Sequence, residues 1–396
     1  MNVDQRKAFD VIINVVNGNQ GGFFFVYRYG GTGKTFLYNT LSTVMRSKGE
    51  IVLNVASSGI ASLLLSNGRT AHSRFKIPLD LNEDSVCCIK QGTTLSKLVC
   101  RAKLIIWDEA PMLNKLCYEA VDRCLRDIVR FEPYYNPELL FGGKVVVLDG
   151  DFKQILLVIP MGSRQDIVQA AINSSYLWQH CNVLRLIINM RLTVRATYTS
   201  LINVSQFASW LLDICDAIVG DSTDGESIVV MSNEIIIQDF DQLVDFVFPN
   251  LLVNINNTSF FKDHSILTPT LEFVNDVNSF IMQRVDADMK NYLNSDILCL
   301  EEGNIEFELD TLTLDVLNAI NCSDLPPYKL TLKVGLPVML LRNIHQSNGL
   351  CNGIRLQIRR LGNHVIECIT LTRSKIGQVV LIPRMNMIPN NQALPF

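Results

Sequence analysis

Two short stretches carry side chains whose types and spacing could do chemistry: GGTGKT at residues 30–35 and KLIIWDEAP at residues 103–111. Gly30, Gly31, Thr32, Gly33, Lys34 and Thr35 follow an apolar, strand-like run and precede a helix-like one, the context that gives the motif a mechanism. The glycines let successive backbone N–H groups turn inward as a nest for phosphate oxygens, and a helix beginning at Gly33 adds its positive dipole end. Lys34 is then placed to reach the β- and γ-phosphates, and the Thr35 hydroxyl to hold Mg²⁺. In the second stretch Asp108 and Glu109 end a buried strand. If that strand runs parallel to the one before GGTGKT, both end on one edge and the carboxylates face the same triphosphate. Asp108 is expected to hold Mg²⁺, and Glu109 to position and activate the attacking water. Near the start, the Gln5 amide offers a donor and an acceptor that suit an adenine edge, although taken alone it is an ordinary surface glutamine.

Elements to position these residues are legible in the pattern. Apolar runs at 22–27, 51–56, 103–108, 144–149 and 182–186 are continuous rather than alternating, as in strands buried on both faces. Helical spacing covers 4–17, 33–48, 58–66 and 114–130, so the first 190 residues predict a parallel α/β sheet. A second α/β region is expected from about residue 192, with a helix at 206–215, a strand at 265–270 (SILTPT) and a helix at 272–285. After SDLPPYKL (323–330), short runs with glycine-marked turns suggest a small antiparallel barrel over 323–396.

The bulk numbers set limits. A chain of 396 residues, 48% hydrophobic and 19% charged, has the composition of a globular protein of two or three domains. No apolar run reaches membrane-spanning length, and MNVDQRKAFD lacks the apolar core of a signal peptide. The 11 cysteines include no C-x-x-C pair and no zinc-like cluster with histidine, which reads as reduced thiols in an intracellular compartment. A net charge of −4 argues against a protein that simply coats nucleic acid, yet residues 205–320 hold 21 acidic against 3 basic side chains. The flanking lobes are therefore basic, as solvated faces or as a local phosphate-binding track.

An ordered series of segments then points to a family. VDQRKAFD, GGTGKT, VASSGIASLLL, GRTAHSRFKIP, LIIWDEAPM, GDFKQIL, NMRL, ILTPT and LPPYKLTLKVGLPVMLLRN occur in that order. Together they resemble the Pif-one-type (petite integration frequency) ATP-dependent DNA helicases, especially copies associated with plant Helitron transposons. The resemblance implies a P-loop, RecA-like motor domain over 1–191, with a small DNA-contacting insertion around 67–100. It implies the start of a second RecA-like domain over 192–322, with the barrel at 323–396 inserted in it. It also implies ATP and Mg²⁺ as ligands, 5′-to-3′ movement on single-stranded DNA, action at duplex junctions, a nuclear location and a monomer. By the same resemblance Gln5 reads adenine, Gln154 senses the γ-phosphate, and Arg191 neutralises transition-state charge. Ser57, Ser58, Gly59, His72 and Ser73 fall in segments that contact the DNA backbone. The residues alone leave other roles open: Ser58 as a helix cap, His72 as an ordinary hydrogen-bonded histidine, Arg191 as a surface cation.

Three departures from the family pattern bear on function. Arg28 stands where the loop's opening glycine is expected, and would cost roughly 1–3 kcal/mol if that position needs positive φ. Asp149 replaces a glycine before GDFKQ and adds a carboxylate near the phosphates, which disfavours a triphosphate unless a cation compensates. Leu157 replaces a proline, with a small effect expected. The sequence ends at NQALPF, before a TINKSQGQ-like segment and a further arginine motif that the resemblance leads one to expect. A helicase is therefore weighed against a relic that binds ATP, and perhaps DNA, without unwinding. A different P-loop ATPase or kinase is a third reading, for which no acceptor-binding lid is visible.

Overall fold

The computed structural model describes the chain except residues 29, 134, 155–156, 160–161, 194–197, 217, 220–228, 230, 232–235, 269, 295–325, 346–347, 372–375 and 386–396. The segment NQALPF and the start of the expected barrel (323–325) lie outside the described residues. The chain divides into two compact units, Met1–Val230 and Met231–Phe396.

In the first unit the elements run α1 (Val3–Gly18), β1 (Gly22–Arg28), α2 (Lys34–Ser47), β2 (Ile51–Ala56), α3 (Gly59–Leu64), β3 (Arg69–Thr70), α4 (Ala71–Phe75) and α5 (Thr94–Arg101). They continue with β4 (Ala102–Asp108), α6 (Lys115–Val129), β5 (Val145–Gly150), α7 (Arg164–Ala170), β6 (Asn182–Leu186) and α8 (Tyr198–Cys215). Helix α8, expected to open a second domain, groups with this unit. The strands form one six-stranded sheet ordered β3-β2-β4-β5-β1-β6, with every neighbouring pair parallel.

The apolar runs explain this sheet. Alternate residues of a strand face opposite sides, and here both sides are apolar. Phe23, Phe25, Ile105, Trp107, Val146 and Leu148 enter one core, with α6 residues such as Tyr118 and Leu125. Phe24, Val26, Leu104, Ile106, Val145 and Val147 enter the other, against Ile12 of α1 and Leu37 and Leu41 of α2. Because parallel strands share a direction, β1, β2, β4 and β5 all end on the same edge, and the turns that follow them meet there.

The second unit is built from α9 (Phe240–Val247), α10 (Leu251–Asn254), α11 (Thr258–Lys262), α12 (Leu271–Arg284), β7 (Met289–Leu293), β8 (Lys329–Lys333), β9 (Pro337–Met339), β10 (Arg355–Leu361), β11 (Val365–Thr370) and β12 (Val379–Pro383). Its pairings among the described residues are antiparallel: a four-stranded sheet β12-β11-β10-β9 and the pair β7-β8. Leu356, Ile358, Cys368 and Val380 point into one core with Leu332 and Leu340. Helix and sheet are tied by Arg355, which donates to the His264 carbonyl at 2.8 Å, and by Gln357, which donates to the Ile255 carbonyl at 2.7 Å. The strand expected at 265–270 does not form at its described positions. Local bonds replace a ladder there: the Thr268 hydroxyl donates to the Thr270 carbonyl at 3.1 Å, and Thr270 caps α12.

Candidate nucleotide site

Sheet order places the chemistry. β5 lies between β1, which leads into GGTGKT, and β4, which ends at Asp108. Lys34, first residue of α2, therefore projects across the end of β5 toward the acidic pair. Its Nζ lies 2.9 Å from Asp108 Oδ1, 2.7 Å from Glu109 Oε1 and 3.6 Å from Asp149 Oδ2. Residues about 75 and 115 positions from Lys34 in sequence thus converge on one ammonium group.

These carboxylates are not on open surface. Asp149 is 0% exposed and Asp108 2%, while Lys34 and Glu109 retain 17% and 20%. Burial first, and then the Asp149 carboxyl beside it, push the Asp108 carboxyl up to about 7; Lys34 pulls the other way. Glu109 adopts a left-handed backbone, φ 56° and ψ 44°, which disfavours a residue with a Cβ by roughly 1–2 kcal/mol. Its amide donates to Asp108 Oδ1 at 3.0 Å, and the kink turns its side chain toward Lys34.

The phosphate loop has the conformation its glycines permit. Gly31 and Gly33 have φ of 90° and 78°. Gly33 is the N-cap of α2 and offers no side-chain cap, so no side chain of its own competes for the helix's first amides. A Cβ at Gly33 would lie 2.5 Å from Gln5 Nε2, so glycine is needed there for room as well as for its dihedrals. Gly30 is exposed, Thr32 buried and Thr35 half-buried. Arg28 is the last residue of β1 and pairs in parallel with Leu186. Its backbone is that of a strand, so the left-handed strain considered for this position does not arise; its side chain, like that of Arg191, lies outside the described residues.

Gln5 takes a different place from that of an open adenine reader. It is 3% exposed, and both ends of its amide are engaged. Oε1 accepts from the Asn2 amide at 3.0 Å, closing a capping box on α1, while Nε2 donates to the Thr32 carbonyl at 2.8 Å. Gln5 thereby braces the phosphate loop, and its amide keeps further donor and acceptor capacity. The loop is held from a second side by Met190, whose amide donates to the Gly31 carbonyl at 2.9 Å. That bond puts the backbone of Arg191, in the 3-10 turn Met190–Thr193, next to the phosphate loop. Gln154 is exposed in the turn after β5, its amide donating to the Asp151 carbonyl at 3.1 Å.

The segments expected to contact DNA line the same edge further out. Ala56 pairs with both Asp108 and Thr70, so Ser57–Gly59 after β2 and His72–Ser73 after β3 follow the strand ends beyond β4. Ser57 is turned inward: its amide donates to the Asp108 carbonyl at 3.0 Å and its hydroxyl accepts from Trp107 Nε1 at 3.3 Å. Ser58 caps α3 by accepting from the Ala61 amide at 3.2 Å, and Gly59 is buried. Ser73 is exposed; His72 is half-buried, and burial lowers its pKa.

Sequence reasoning missed the Asn2 and Met190 supports. The pattern Asn2-x-x-Gln5 ahead of an apolar helix is a capping-box signal that could have revealed the first; nothing local announces the second. Leu157 is buried against Ala170 and Ala171, an apolar contact as expected.

A glycine nest opening a helix on the C-terminal edge of a parallel sheet, with an acidic pair two strands away, defines a P-loop nucleotide-binding protein of RecA-like fold. The chain belongs to the PIF1-like helicase family, whose model matches residues 1–225; a second model, DNA helicase Pif1, 2B domain, matches 315–361. The ATP-dependent DNA helicase PIF4 of Trypanosoma brucei brucei is 29% identical over 160 residues, 39% of this chain and 18% of that protein. The chain's match spans less than a quarter of the length of each of the curated relatives. Among solved structures, one concerning DNA unwinding at forked dsDNA by two coordinating Pif1 helicases has a TM-score of 0.59 and 20% identity, covering 97% of this chain and 76% of that one. The Pif1 helicase from Bacteroides in complex with ADP-AlF3 and ssDNA has a TM-score of 0.58 and 18% identity, covering 95% and 73%. These likenesses establish the fold.

Proposed function

We propose that this chain is an ATP-driven motor that moves 5′ to 3′ on single-stranded DNA and separates duplex at junctions. The observation that carries the reading is the meeting of Lys34, Asp108 and Glu109 at one sheet edge. The amides of residues 30–35 and Lys34 bind the polyphosphate. Glu109 orients a water for attack on the γ-phosphorus and accepts its proton as the bond to the β-phosphate oxygen breaks. Thr35 and Asp108 are hard oxygen donors suited to Mg²⁺, which when bound spreads and neutralises the phosphate charge. Arg191 is assigned the transition-state charge and Gln154 the sensing of the γ-phosphate. Ser57, Ser58, Gly59, His72 and Ser73 are assigned to a DNA-facing border, with Ser57 linking that border to the acidic strand end.

The test is phosphate release with and without single-stranded DNA. Hydrolysis that rises with DNA and falls at least about 100-fold in Lys34→Ala supports the motor; no hydrolysis by the unmodified chain ends it. A second reading, nucleotide binding without unwinding, is favoured by one observation, the buried Asp149 carboxylate beside Lys34. Duplex separation by the unmodified chain would exclude it.

A further inference from the structure

Between α4 and α5 the chain forms neither helix nor strand, and it is held by ties to α6. Arg123 Nε and Nη2 donate to the Ser85 carbonyl at 3.0 and 2.8 Å, and Gln91 Nε2 donates to the Asp127 carbonyl at 3.1 Å. A third tie runs from the Cys124 thiol to the Cys87 carbonyl at 3.8 Å. It brings two sulfurs together, and a hydrogen bond joins the side chains of Cys87 and Cys124. Both are free thiols, 6% and 4% exposed. A cavity of about 460 Å³, lined by Val86, Cys87, Ile89, Cys124, Asp127 and Ile128, opens beside them and admits a small molecule. A solitary thiol in an apolar core is inert, because burial disfavours the thiolate. Here the Cys87 thiol lowers the pKa of Cys124, against the effect of burial. The same hydrogen bond, and then burial, push Cys87 up. The two sulfurs are thus unequal, one suited to attack and the other to follow.

We propose that Cys87 and Cys124 form a hydroperoxide-reactive dithiol, which closes to a disulfide and clamps the segment between α4 and α5 onto α6. The Cys124 sulfur gives up its proton and attacks a peroxide oxygen. The O–O bond breaks, the departing oxygen takes the proton as water or an alcohol, and Cys124 is left as a sulfenic acid. The Cys87 sulfur then attacks the Cys124 sulfur: the S–S bond forms, the S–O bond breaks, and hydroxide leaves with the Cys87 proton as water. The two thiols together lose two electrons, and one peroxide gains them. The bond closes a loop between residues 37 positions apart. That removes freedom from the unfolded chain and stabilises the first unit under oxidation. The inference is independent of how the phosphate loop is read.

The test treats the folded full chain with stoichiometric hydrogen peroxide, removes the excess with catalase, then alkylates in denaturant and counts thiols by mass. Two of the 11 cysteines should escape alkylation, and proteolytic mapping should find them joined as one Cys87–Cys124 crosslinked peptide. The melting midpoint should rise by about 5 °C or more and return on treatment with dithiothreitol. Cys124→Ala should lose both the crosslink and the rise. The mapping uses the unmodified chain, so it decides the matter even where that variant does not fold. All 11 thiols remaining free, a crosslink through Cys88 or Cys117 instead, or further oxidation without a crosslink overturns the proposal. A Cys87–Cys124 bond that leaves the midpoint unchanged or lowers it overturns the clamp.

Discussion

The two units solve the burial of their sheets in opposite ways, and among the described residues the lysine–carboxylate group forms in the first. In the first, a parallel sheet is covered on both faces, and its strand ends bring Lys34, Asp108 and Asp149 to one edge from distant parts of the sequence. In the second, the antiparallel strands β9 to β12 reverse direction at each turn, so successive ends fall on opposite edges. Its best-formed features are packing and backbone ties, such as Ile358, which accepts from Gly335 and donates to Leu336. Strand direction, more than residue type, decides where separated motifs can cooperate.

That contrast can be broken at its strongest point first. Trp107 is 1% exposed, packs against Phe75 and Tyr118 and donates to Ser57. Trp107→Ala should destabilise the first unit by about 3–5 kcal/mol and reduce nucleotide binding with it, measured by urea unfolding and ADP titration. A change under about 1 kcal/mol would mean that the sheet core does not support the site. Ile358→Ala should destabilise the second unit by about 2–4 kcal/mol, yet leave ADP affinity in the remaining folded protein within about threefold. Collapse of nucleotide binding in that variant would contradict the division of labour.

The smallest effect concerns pH. Asp108 titrates near 7 when folded, above its ordinary 3.8, so the folded chain holds the extra proton between those values. Stability of the first unit should therefore fall as pH rises from 4 to 7, by at most about 1.4 kcal/mol per pH unit from this group. Asp108→Asn should remove that contribution, read as the difference between denaturation midpoints at pH 5, 6 and 7. Parallel pH profiles for the two proteins would refute the assignment.

Much of this molecule was legible because its cues are local. A continuous apolar run such as GFFFVY specifies a strand buried on both faces, and GGTGKT specifies a nest whatever surrounds it, since both depend on neighbours within a few residues. The helices at 3–18 and 115–129 follow in the same way from 3.6-residue spacing, within one residue of the expected 4–17 and 114–130, while their caps Asn2 and Asn114 emerge from the structure. SILTPT has strand composition, but composition supplies no partner, and a strand without a ladder resolves into local bonds. Gln5 and Asp149 escaped full reading for the converse reason. Whether an amide faces a base or a loop carbonyl, and whether a carboxylate meets solvent or a lysine, depends on which strands lie side by side. Sequence alone determined the five longer strands of the parallel sheet, the helices around the phosphate loop and the nest itself, each set by short-range geometry. Tertiary structure decided that β5 stands between β1 and β4, and so surrounded Lys34 with three carboxylates, because adjacency across a sheet is fixed by packing of the whole unit.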